Sequence, residues 1–147
     1  MSPDMTPDQM LRAVNALEAA WKQDDRALTA LARGGQGEPA LAALVARYSA
    51  YALELLLAEA LGLADRPPAE RESQLATLEK GVSSRLLIQW SYLLASWART
   101  VPDTPAGNGG LARAALQAMT AFTRDGDPGN DVPALLAHLR ANATART

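Results

Sequence analysis

Apolar residues recur every three or four positions along most of this chain, which is the spacing of helices with one buried face. The first such segment begins at Thr6-Pro7-Asp8-Gln9, where a Thr cap, a Pro in the first helical position and a Gln form a capping box. The segment extends to Gly34, either as one long helix or as two short helices interrupted at Asp24-Asp25. Residues 1–5 precede it and are predicted to be a flexible tail.

The second helical segment is predicted over residues 39–63, with its start at Glu38-Pro39. Leu53, Leu57 and Leu61 lie outside its main apolar face, and a helix that is apolar nearly all round is typically buried. Three charged residues interrupt the segment: Arg47, Glu54 and Glu59. These charges argue against a membrane span, which needs ~20 largely apolar residues. We therefore predict a central helix whose second apolar face is covered by the last two helices or by a second copy of the chain.

The second half of the chain predicts four more helices and two loops. The helices are predicted over residues 69–79, 84–99 and 111–123 and from Asp131 onward, with loops at 101–110 and 124–131. In the 84–99 segment, one wide buried face is expected, formed by Leu86, Trp90, Leu93, Leu94 and Trp97. The sequence thus predicts an all-α, single-domain helical bundle of five to six helices over residues 6–147, with the 39–63 and 84–99 helices at its centre.

Composition supports a helical scaffold and offers little chemistry. Ala and Leu, both strong helix formers, occupy 54 of the 147 positions, whereas cysteine is absent and His138 is the single histidine. Catalysis most often uses His, Cys, Lys or clustered carboxylates. We identify no catalytic residue, no metal site and no cofactor from the sequence, and an enzymatic role is not favoured.

The main candidate binding site is a polar stripe on the 84–99 helix. Its members recur at intervals of four, three, four and three: Arg85, Gln89, Tyr92, Ser96 and Arg99. Such a stripe suits an anionic ligand or an acidic partner segment, although an ordinary solvated face gives the same pattern. Tyr51 and Glu54 complete the candidate set. Glu54 lies among leucines in the sequence and needs a partner if it is buried, which Arg85 or Arg99 could supply. A structural ion pair is favoured over a catalytic acid at this position.

These features favour a cytoplasmic helical interaction or scaffold protein that forms homodimers. Residues 1–9 lack the basic and apolar regions of a signal peptide, and no membrane association is expected. A net charge of −2 makes nucleic acid an unexpected partner, because phosphate binding needs concentrated positive charge. One alternative is a small-molecule-binding protein or a cofactor-free enzyme. Its pocket would lie between the two central helices, with four polar groups: Tyr48, Tyr51, Glu54 and Arg85.

A second alternative comes from a short motif. Trp97-Ala98-Arg99-Thr100-Val101-Pro102 followed by Asn108-Gly109-Gly110-Leu111 resembles the short motif of the small helical subunit in type III CRISPR effectors. The resemblance implies a small helical subunit of a nucleoprotein complex, and no site residue is carried over from it. A contiguous arginine surface would favour this alternative, whereas evenly mixed charge would count against it.

Overall fold

The computed structural model describes residues 4–62, 66–79, 81–122 and 128–145. All regular structure within these ranges is helical, which confirms the all-α class. The elements are α1 (Pro7–Trp21), α2 (Asp25–Ala32), α3 (Leu41–Ala60), α4 (Pro68–Glu79), α5 (Val82–Thr100), α6 (Pro105–Met119), a 3-10 turn (Thr120–Phe122) and α7 (Pro128–Thr144). Residues 1–3 of the predicted tail lie outside the described residues, whereas Met5 packs against the core.

The first predicted segment is two helices, so the bundle has seven α-helices within the described residues instead of five or six. The capping box at its start is confirmed: the Thr6 hydroxyl accepts a hydrogen bond from the Gln9 amide at 3.1 Å, and the Gln9 side chain accepts one from the Thr6 amide at 3.0 Å. Gln23 then adopts a left-handed φ of 54°. Asp24 caps α2 by accepting a hydrogen bond from the Ala27 amide, so α1 and α2 are two separate helices.

The core is centred on α1, α3 and α6, each of which packs against the other two. The helices α2 and α7 lie against this group, α2 on α1 and α6, and α7 on α1. The three central helices supply most of the largest fully buried side chains, among them Met10, Leu17, Leu44, Tyr48, Leu53, Leu111 and Met119. The predicted central position of the second helix is therefore correct.

The helix α3 has the composition of a buried helix. Among the described residues it alone is long and apolar enough to pass a membrane-span test, and 61% of the segment is buried inside the fold. That burial fits a core helix, which passes the same test. The predicted start at Glu38-Pro39 was wrong, because α3 begins at Leu41 with Ala40 as its N-cap and no side-chain cap.

The predicted flexible connection over residues 101–110 was also wrong, because α6 begins inside it. The Thr104 hydroxyl accepts a hydrogen bond from the Gly107 amide at 3.1 Å, and Pro105 occupies the first turn. Gly107 lies so close to the preceding loop that an added Cβ would be 2.2 Å from the Pro102 carbonyl oxygen. This glycine therefore permits close packing at the start of the helix.

The last helix also starts earlier than predicted. It begins at Pro128, so Asp131 and Pro133 lie inside its first two turns instead of at the boundary. Proline suits the first helical position because its φ is preset and its missing amide hydrogen would have no partner there. The remainder of the predicted loop over residues 124–131 lies outside the described residues.

The helix α5 lies at the edge of the bundle, which corrects the prediction that it is central. It packs mainly against α3 and makes fewer contacts with α4 and α6. Leu94 is fully buried, and Leu87, Trp90 and Ala98 are partly buried against the core. The predicted single buried face is therefore two faces, because Leu86, Leu93 and Trp97 point to solvent.

Candidate functional site

An exposed line of large apolar side chains runs along the outer side of α5. We call it the outer apolar stripe; it consists of Val82, Leu86, Leu93 and Trp97, with exposed fractions of 63%, 64%, 56% and 40%. Their separations of four, seven and four residues place them within about 60° of arc on an ideal helix. Contiguous exposed apolar surface of this kind marks sites of interaction.

The stripe exists because α5 carries more apolar residues than one neighbouring helix can cover. Its inner side, around Leu94, is taken up by the contact with α3. Trp90 lies between the two sides and is half-buried, and its indole Nε1 is buried without a hydrogen-bond partner among the described residues. The helix itself is regular to its end, where the Val101 amide donates to the Trp97 carbonyl at 2.9 Å. The stripe is thus presented on a well-formed helix.

The predicted polar stripe is exposed along its whole length and lies beside the outer apolar stripe. Its members are Arg85, Gln89, Tyr92, Ser96 and Arg99. No acidic residue occurs in α5, and within the described parts of the chain no ion pair involves Arg85 or Arg99. Both guanidiniums therefore remain available at the rim of the apolar surface.

Tyr51 and Glu54 do not join this surface. Tyr51 is buried and donates a hydrogen bond to Oδ1 of Asn142 at 3.1 Å, which ties α3 to α7. Glu54 is exposed, and nearby protein atoms remove enough water to raise the pKa of its carboxyl. The condition for an ion pair with Arg85 or Arg99 is not met, because Glu54 is not buried and its side chain points out of the leucine-rich side of α3.

The four polar groups proposed for a pocket between the central helices are dispersed. Tyr48 is fully buried, and burial raises the pKa of its phenol. Its hydroxyl has no hydrogen-bond partner within the described residues. Tyr51 is directed to α7, whereas Glu54 and Arg85 are in solvent. The structure therefore does not bring these groups to one site.

Two grooves lined wholly by residues that the structure describes lie elsewhere on the bundle. The larger, of about 300 Å³, opens between the start of α1 and the end of α2. Its most enclosed charge, Arg12, donates to the Leu31 carbonyl at 2.6 and 2.9 Å and to the Pro39 carbonyl at 3.2 Å. The smaller, of about 100 Å³, is bordered by Trp21 and Arg113. Because Arg12 is bound to backbone carbonyls, it stabilises the end of α2 and the following loop.

The single histidine also makes a contact between helices. His138 Nε2 lies 2.8 Å from Glu59 Oε2, which joins the exposed side of α7 to the end of α3. Among the residues that the structure describes, no three His, Asp or Glu side chains form a group able to hold a metal ion. Several polar side chains of the described residues, such as His138 and Glu59, thus form contacts that join one helix to another.

Sequence reasoning found the polar stripe but missed the outer apolar stripe as a surface. The signal was present, since apolar residues cover more than one side of α5, as they do on α3. Periodicity alone does not say which apolar side faces the core. Comparisons of the chain with protein-family models, with curated proteins and with solved structures found no significant match.

Proposed function

We propose that this chain is a helical interaction protein that self-associates through the outer apolar stripe of α5. One observation carries the proposal: Val82, Leu86, Leu93 and Trp97 are exposed in line on one regular helix. Each large apolar side chain that stays in water forgoes up to about 1.5–3 kcal/mol of burial free energy. A second protein surface on α5 recovers part of that free energy.

The exposure of the apolar residues favours α5 over α3 as the proposed interface. The sequence favoured the side of α3 that carries Leu53, Leu57 and Leu61. Leu53 is only 1% exposed and Leu57 is half-buried, whereas Leu61, just past the end of α3, is 37% exposed. The chain itself therefore covers two of these three leucines. The outer apolar stripe of α5 is more exposed and longer, which supports it as the proposed interface.

The composition of the surface supports binding over catalysis. The outer apolar stripe contains no titratable or nucleophilic side chain, and the polar stripe beside it supplies hydrogen-bonding groups and two guanidiniums. An apolar centre with a polar rim is the usual anatomy of a protein–protein interface. Such a surface works by holding a partner.

The test is sedimentation equilibrium over roughly 1–200 μM, a range suited to a small interface. We expect the wild-type chain to form dimers and Leu86→Glu to shift the equilibrium to monomers. Ile88→Glu is the matched control, because Ile88 is also exposed on α5 but faces about 150° away from the stripe on an ideal helix. Circular dichroism of each variant checks that the helices are retained.

The outcomes separate three possibilities. A wild-type chain that is monomeric at every concentration overturns the proposal. Dimers that persist in Leu86→Glu but dissociate in Leu57→Glu place the interface on α3 and overturn the assignment to α5. Dissociation in both Leu86→Glu and Ile88→Glu shows a general effect of added charge, which also counts against the outer stripe.

A further inference from the structure

We draw no further inference here: the strongest candidate, the exposed apolar patch along the outer side of α5, carries none beyond the proposed function because nothing in the structure shows what covers it.

Discussion

The rings of Tyr48 and Tyr51 lie with their centroids 6.1 Å apart and their planes inclined at 54°, one turn apart on α3. The two rings lie in the same part of the core, but their hydroxyls differ in hydrogen bonding. The Tyr51 hydroxyl donates to Asn142 at 3.1 Å, whereas that of Tyr48 is buried with no hydrogen-bond partner in the described part of the chain. A buried hydroxyl without a partner carries the cost of its lost hydration.

The two tyrosines therefore form a matched pair of substitutions. Tyr51→Phe removes a hydrogen bond between α3 and α7 and should lower the free energy of unfolding by about 1 kcal/mol. Tyr48→Phe removes an unpaired group and should leave that free energy unchanged or raise it by up to about 1 kcal/mol. Urea denaturation followed by circular dichroism measures both. Equal losses in the two variants would contradict the different environments of the hydroxyls.

Alanine substitutions at two glycines of α6 should change the free energy of unfolding in opposite directions. Gly107→Ala places a Cβ 2.2 Å from the Pro102 carbonyl oxygen, so the loop must shift, at a cost of about 1–3 kcal/mol. Gly110→Ala meets nothing within 4 Å and should raise the free energy of unfolding by about 0.5–1 kcal/mol through helix propensity. Thermal melts of the two variants test this. Stabilisation by both would show that the loop yields easily.

These glycines also show where prediction from the sequence fails. The start of α1 was predicted correctly because Thr6 and Gln9 form a complete local signal, independent of the rest of the fold. The start of α6 was missed because glycines usually mark loops, although Thr104 and Pro105 form a local start signal of the same kind. The close approach of Gly107 to Pro102, which favours glycine at that position, is the part that the sequence does not show. Local signals are readable in the chain, whereas close packing between segments is not.

The candidate site was predictable to a similar degree. The polar stripe from Arg85 to Arg99 follows from helical periodicity alone, and the structure leaves it exposed. The burial of Glu54 could not be decided from the sequence, because its leucine neighbours along the chain lie on other sides of the helix. Which apolar side of α5 meets α3 depends on tertiary packing, so the outer apolar stripe could not be identified from the sequence.

The ion pairs of Glu18 predict a weakening of the fold in acid. Its carboxylate accepts hydrogen bonds from Lys22, at 2.8 Å, and from Arg140, which ties α1 to α7. The hydrogen bond from Lys22 and the positive charges of Lys22 and Arg140 lower the pKa of Glu18 below its ordinary value of 4.5, against a smaller opposing effect of burial. Because the folded pKa is the lower one, the contribution is complete above pH 4.5 and is lost as the pH falls through the folded pKa.

Glu18→Gln should therefore cost less than about 1 kcal/mol of unfolding free energy at pH 7, since the pair is partly exposed. The difference from wild type should shrink as the pH falls below 4.5. Glu72→Gln, an exposed acid on α4, is the control and should change little at any pH. Denaturation midpoints at several pH values provide the measurement. A difference that is constant down to pH 3 would show that the charge of Glu18 contributes nothing.

Adjacent leucines on α5 should separate folding from association. Leu94 is fully buried, so Leu94→Ala should lower the free energy of unfolding by about 2–5 kcal/mol at every protein concentration. Leu93 is 56% exposed, and the same substitution there should lower the free energy of unfolding by less than about 0.5 kcal/mol in dilute solution.

Association of the folded chain adds stability as concentration rises, so the wild-type melting temperature should increase with concentration. In Leu93→Ala that increase should be reduced, whereas Leu94→Ala should retain it from a lower starting value. Calorimetry over a hundredfold range of concentration tests the argument, and a wild-type melting temperature independent of concentration would contradict association through α5.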